Sequence, residues 1–128
     1  MTPKEGRRAL FDACFAGDTE RITDLFPKAG VDVNDRGTKI NEDGNTLLHT
    51  ACGSGHAEAV RLLIELKADV NQKNKWGCTP ICCLYDRGES TVQIAKMLIR
   101  NGADTDIAKT FAVKKVSDII ASVAASEC

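Results

Sequence analysis

Much of what this 128-residue chain lacks bears on its function. Seventeen Lys and Arg stand against 18 Asp and Glu, a formal charge of -1, so no global basic field exists to draw nucleic acid or an anionic membrane. The apolar runs are only a few residues long, far below the roughly 20 needed to span a bilayer, and the opening MTPKEGRRAL contains no apolar h-region. The expected location is therefore the cytoplasm, with the nucleus also open, and no membrane partner is expected. There is no glycine-rich phosphate loop, no paired carboxylates in a foreseeable cleft, and no nucleophile and base at a recognisable spacing. Catalysis is not expected. Six cysteines are present, but Cys78, Cys82 and Cys83 match neither a zinc ribbon nor a C-x-x-C pair. Free thiols are expected, with no cofactor and no metal; a cysteine-based metal-binding or redox protein stays open as the alternative.

What the chain does have is repetition. From Gly44 to Gly77, Thr46 to Thr79 and Gly55 to Gly88 the step is 33 residues, and Ala13, Cys14, Gly17 and Leu25 return as Ala51, Cys52, Gly55 and Leu63 at a step of 38. Such periods belong to stacked arrays, in which each unit buries its apolar face only against its neighbours. Thr46 and Thr79 are N-cap candidates for a first helix, with Pro80 in the first helical position. Thr2, Pro3 and Glu5 form the same kind of start for the whole chain. Gly17, Gly55 and Gly88 are placed to end each first helix in a left-handed conformation. Asp18, and Ser90 with Gln93, then mark second-helix starts.

The second helix of the middle unit is apolar at Ala59, Val60, Leu62, Leu63, Ile64 and Leu66, too wide a stripe for one buried face, so it must be covered from both sides. In the first unit the equivalents of Ala59 and Leu62 are Arg21 and Asp24, leaving a narrow stripe of Ile22, Leu25 and Phe26. That is the polar outer face of an end cap. Near the C-terminus, SDIIASVAAS reads as a shortened second helix capped by Ser117, with Ile119, Ile120 and Val123 as its apolar face; whether Ala108 to Val116 is a separate helix stays open.

The middle unit resembles the ankyrin repeat. The family's Thr-Pro-Leu-His-x-Ala signature is matched by Thr46, Leu47, Leu48, His49 and Ala51, followed by Gly55, His56 and the run Ala68, Asp69, Val70, Asn71. The third unit keeps Gly77, Thr79, Pro80, Ile81, Gly88, Leu98, Gly102, Ala103 and Asp104; the first keeps Leu10, Ala13, Gly17, Leu25, Asp32, Val33 and Asn34. The resemblance runs from Arg7 to Ile107. It implies an all-α ankyrin-repeat solenoid of helix-turn-helix units joined by finger loops. The units are an N-terminal capping repeat at 1–34, full repeats at 43–75 and 76–108, the latter with an insertion, and a truncated cap at 109–128. It further implies a monomeric adaptor or inhibitor that binds another protein, a structural hydrogen-bonding role for His49, and finger asparagines, Asn34 and Asn71, of a kind that can be hydroxylated. A chain that stacks only within a larger assembly is a further possibility.

Function is best sought where the copies differ. The step from Asn34 to Asn71 is 37, so the connection DRGTKINEDG is four residues longer than its neighbour and offers Arg36 and Lys39. The third unit has two extra residues between Gly88 and Leu98, and places Leu84 and Tyr85 where the middle unit has Ala51 and Cys52. Such bulk at a tight helix contact requires local reshaping. Lys67 stands where the third unit has Gly102, so a lysine is expected in a left-handed conformation. The family's variable, partner-facing positions fall on Glu42, Asp43, Asn45, Thr50, Gly53 and Ser54 in the middle unit. In the third they fall on Lys75, Trp76, Cys78, Cys83, Asp86 and Arg87. Trp76, the single tryptophan, is the first choice of anchor, because tryptophan is enriched among interface hot spots.

Overall fold

The computed structural model describes residues 3–30, 32–34, 44–85, 87–107 and 114–127. The long connection at 35–43, Thr2, Asp86 and the stretch 108–113 lie outside them. Six α-helices and one 3₁₀ helix follow in order: α1 Pro3–Ala16, α2 Thr19–Ala29, α3 Leu47–Ser54, α4 Ala57–Glu65, the 3₁₀ helix Pro80–Cys83, α5 Glu89–Arg100 and α6 Lys114–Glu127. Each first helix packs on the next, α1 on α3 and α3 on the 3₁₀ helix, while α2, α4, α5 and α6 stack as a second layer. The described residues form an all-helical solenoid with one continuous apolar core.

Local chemistry places the helix ends. Pro3 opens α1, where its missing N–H removes nothing. The carboxylate of Asp18 accepts the Arg21 backbone N–H at 3.1 Å and caps α2. Thr46 caps α3 in a reciprocal box: its hydroxyl accepts the His49 N–H at 3.3 Å, while His49 Nδ1 accepts the Thr46 N–H at 3.2 Å. Gly55 ends α3 at φ 78°, a conformation glycine adopts without the Cβ penalty. At the end of α4, Lys67 takes φ 74° and donates to the Ile64 carbonyl at 3.0 Å, as Gly102 does to Ile99 at 3.0 Å. A non-glycine residue there costs about 1 kcal/mol.

Burial of α4 follows the width of its stripe. Ala59, Val60 and Leu63 are fully buried, and Leu62, Ile64 and Leu66 pack against the same core, with α2 on one side and α5 on the other. On α2, Arg21 and Asp24 are exposed while Ile22 and Leu25 are buried, as an end cap requires.

Three expectations are corrected. The third unit has no first α-helix: a single 3₁₀ turn, Pro80–Cys83, follows Thr79, whose side chain makes no cap bond and instead meets Cys82 Sγ at 3.5 Å. The chain leaves that turn at Leu84, extended at ψ 141°, which lets the Leu84 side chain become buried instead of overpacking a helix pair. Gly88 accordingly does not end a first helix; at φ 74° it is the N-cap of α5. Nor does Ser90 cap α5. It lies inside the helix, and Thr91 organises the entry instead: its hydroxyl accepts the Arg87 N–H at 2.8 Å and donates to the Tyr85 carbonyl. Finally, Ser117 lies within α6, which starts at Lys114. Val116 is fully buried with Ile120 and Val123, an i, i+4, i+7 stripe, whereas Ile119 is only partly covered.

Candidate functional site

Side chains that hold the units in register also build the site. His49, buried, donates from Nε2 to the Cys78 carbonyl at 2.7 Å and so ties the middle unit to the next finger. The finger asparagines do the same on the other edge. Asn34 Oδ1 accepts the Asp69 N–H at 2.7 Å, and Asn71 Oδ1 accepts the Asp104 N–H at 2.8 Å while its Nδ2 donates to the Gly102 carbonyl at 3.0 Å. Both carboxamides are thus committed to the next unit.

A second series of inter-unit bonds runs along the helix turns, and it joins residues that look unrelated in sequence. His56 lies over Gly17 and donates from Nε2 to the Phe15 carbonyl at 3.0 Å; a Cβ at Gly17 would sit 2.5 Å from the ring. One unit later Arg87 lies over Gly55 and donates from Nη2 to the Gly53 carbonyl at 3.1 Å; a Cβ at Gly55 would sit 2.4 Å from Arg87 Cδ. In both cases the acceptor is two residues before the helix-ending glycine. Arg87 therefore replaces a histidine, with a longer reach that spans the remodelled turn.

Asn74, buried, shapes the finger that carries Trp76. Its Oδ1 accepts the N–H groups of Trp76 and Cys78 at 2.9 and 3.0 Å, and its Nδ2 donates to Asn45 Oδ1 at 2.9 Å. Trp76 is held upright by this turn with Lys75 Nζ 5.3 Å from its ring centroid.

These elements enclose a groove of about 830 Å³ between the first helices and the finger. Its walls bring together Asn45, Thr50, Gly53, Ser54, Trp76, Cys83 and Arg87, all expected at partner-facing positions. Lys75 and Cys78 lie outside the lining: Lys75 on the far side of the Trp76 ring, Cys78 with its carbonyl on His49. Arg36, Lys39, Glu42, Asp43 and Asp86 are outside the described residues.

Sequence reasoning missed two walls. Phe15 is 70% exposed, Trp76 61% and Tyr85 59%, and these three exposed large apolar side chains all line the groove. The signal for Phe15 was present, since it stands 38 residues before Gly53 in the same register. Tyr85 had no such signal. Its repeat position is a buried one, and only the early end of the 3₁₀ turn directs the ring outward, with the Arg87 guanidinium 5.7 Å from its centroid.

The cysteines have other roles. Cys14 and Cys52 fill buried small-residue positions, and burial pushes the Cys14 thiol up to about 12. Burial also raises Cys52 well above the usual thiol range, with Cys83 adding to the effect, and raises Cys78, with Cys82 adding. All five described cysteines are in the thiol form. Suppressed thiolate formation works against metal binding or exchange chemistry at Cys14, Cys52 and Cys78. Among the described residues no three His, Cys, Asp or Glu are grouped as a metal site, and no helix is long and apolar enough to cross a membrane.

Residues 10–109 match the family model described as ankyrin repeats, in three copies. The chain is an ankyrin-repeat protein. Similar proteins include protein phosphatase 1 regulatory subunit 27 of Mus musculus, 39% identical over 92 residues, or 72% of this chain and 56% of that protein. Two large proteins match as well: ankyrin repeat and KH domain-containing protein mask of Drosophila melanogaster, 32% identical over 100 residues, and mask-1 of Caenorhabditis elegans, 31% identical over 119 residues. The ankyrin chain spans 77% and 93% of its own length in those matches but only 2% and 4% of theirs. Ankyrin repeats are in general protein–protein interaction modules, a non-enzymatic fold.

Proposed function

We propose that this ankyrin protein is a non-catalytic regulator, an adaptor or inhibitor that acts in the cytoplasm as a monomer by docking another protein in its concave groove. The observation that carries this reading is the convergence of Phe15, Trp76 and Tyr85, all exposed, on one groove whose backbone is already pinned by Arg87 and Asn74. Exposed aromatic rings on a preorganised wall bind without a large ordering cost. The name of the mouse relative, a phosphatase regulatory subunit, accords with a regulatory role. Affinity capture from the native source with the wild-type chain and with Phe15→Ala and Trp76→Ala tests it. Each substitution should weaken a captured partner by about 2 kcal/mol, close to thirtyfold. Retained affinity in both folded variants refutes the groove as the binding site.

A further inference from the structure

We infer that the groove takes an acidic linear segment of the partner, in which a large apolar side chain lies within a few positions of an Asp or Glu. This inference rests on the protein-docking reading above and adds the chemistry of what docks.

The first observation is size. A concavity of about 830 Å³ falls within the roughly 300–1,000 Å³ of sites that enclose a compact ligand. A protruding segment fills such a space, whereas a flat protein face would leave it empty. Its three exposed rings provide the apolar walls for an inserted side chain.

The second observation is charge. Among the described lining residues no Asp or Glu occurs, and Arg87 is the one strongly basic side chain. Lys75 adds positive charge on the far side of Trp76. The Arg87 guanidinium is fixed in place, with Nη2 on the Gly53 carbonyl and the plane near the Tyr85 ring. A guanidinium presents five N–H donors in a planar fork, so a carboxylate can be bound beside the Gly53 contact. A fixed cation between aromatic walls matches a carboxylate next to an apolar side chain. A nucleic acid strand would instead be held by a track of several cations along its phosphates, and this groove supplies one.

The test starts from a random heptapeptide library displayed on phage and selected on the full chain. A synthetic fluorescein-labelled peptide of the selected consensus is then measured by anisotropy. The consensus should pair an aromatic or Leu-type residue with Asp or Glu. Replacing that carboxylate by its amide in the peptide should weaken binding about tenfold, and this comparison leaves the protein untouched. Binding should also weaken as salt rises, and Phe15→Ala should reduce it. A consensus without a carboxylate, equal binding of acid and amide peptides, the absence of any enriched sequence, or stronger binding of a short single-stranded oligonucleotide overturns the inference. If partner capture still depends on Phe15 and Trp76 in that event, the docking role stands and only the acidic segment is lost.

Discussion

Replacing His49 by Ala probes the link between this fold and its groove most directly, because one buried ring closes the α3 cap and reaches the finger that presents Trp76. Three contacts disappear: Nε2–H to the Cys78 carbonyl at 2.7 Å, and Nδ1 with the Thr46 N–H at 3.2 Å and hydroxyl at 2.8 Å. Each neutral bond contributes about 1 kcal/mol net, and orphaned partners that stay buried add desolvation of about 1 kcal/mol or more. Loss of the ring from a site only 1% exposed adds a cavity term. The sum is about 3–4 kcal/mol, a drop in Tm of about 10–15 °C for a chain of this size. Urea unfolding followed by circular dichroism at 222 nm measures it directly. His56→Ala is the control, since it removes a single exposed bond to the Phe15 carbonyl and should cost about 1 kcal/mol. A His49→Ala loss below about 1 kcal/mol, or no larger than that of His56→Ala, refutes the assignment of His49 as the inter-unit tie.

Other consequences follow from single features. Lys67→Gly removes a side chain from φ 74° and should stabilise the chain by about 1 kcal/mol, read as a higher urea midpoint; an unchanged or lower midpoint contradicts the strain. Arg87→Ala should cost about 1 kcal/mol of stability through the lost Gly53 bond, and a value near zero would mean that Arg87 does not take the place of the repeat histidine. Burial raises the Cys14 thiol from 9.0 to about 12. The unfolded chain therefore releases this proton first, and the stability contributed is complete below pH 9 and is lost as pH rises towards about 12. Unfolding midpoints across that range should fall, and Cys14→Ala should flatten the fall; an unchanged slope in that variant contradicts the attribution. Val116→Ala should destabilise by about 1–2 kcal/mol, because this residue anchors α6 in the core; a neutral effect would free the cap from that role.

Period, caps and stripe widths were legible in the sequence because they are local or strictly repeated. Thr46, Asp18, Pro3 and Lys67 each act within a turn of their own position, so residue type and spacing suffice. The wide stripe on α4 and the polar face of α2 likewise announce which helix has two neighbours and which has one. Where capping signals compete, local reading fails. Ser90 and Ser117 both look like N-caps, yet α5 starts at Glu89 and α6 at Lys114. What decides these starts is packing, of Thr91 under the Tyr85 carbonyl and of Val116 in the core.

By itself the sequence determined the repeat, the end cap, the left-handed lysine and the finger that carries Trp76, since periodicity and backbone preference are properties of the chain alone. It also marked the third unit as the one that must deform. Only the tertiary structure decided how. Shortening the first helix to one 3₁₀ turn buries Leu84, turns Tyr85 outward and stretches Arg87 back to Gly53. Those three outcomes depend on the volume left beside α3, which no pattern in the third unit encodes. The groove joins Phe15 of one unit, Arg87 of another and Trp76 of a finger, residues brought together by stacking rather than by sequence neighbourhood.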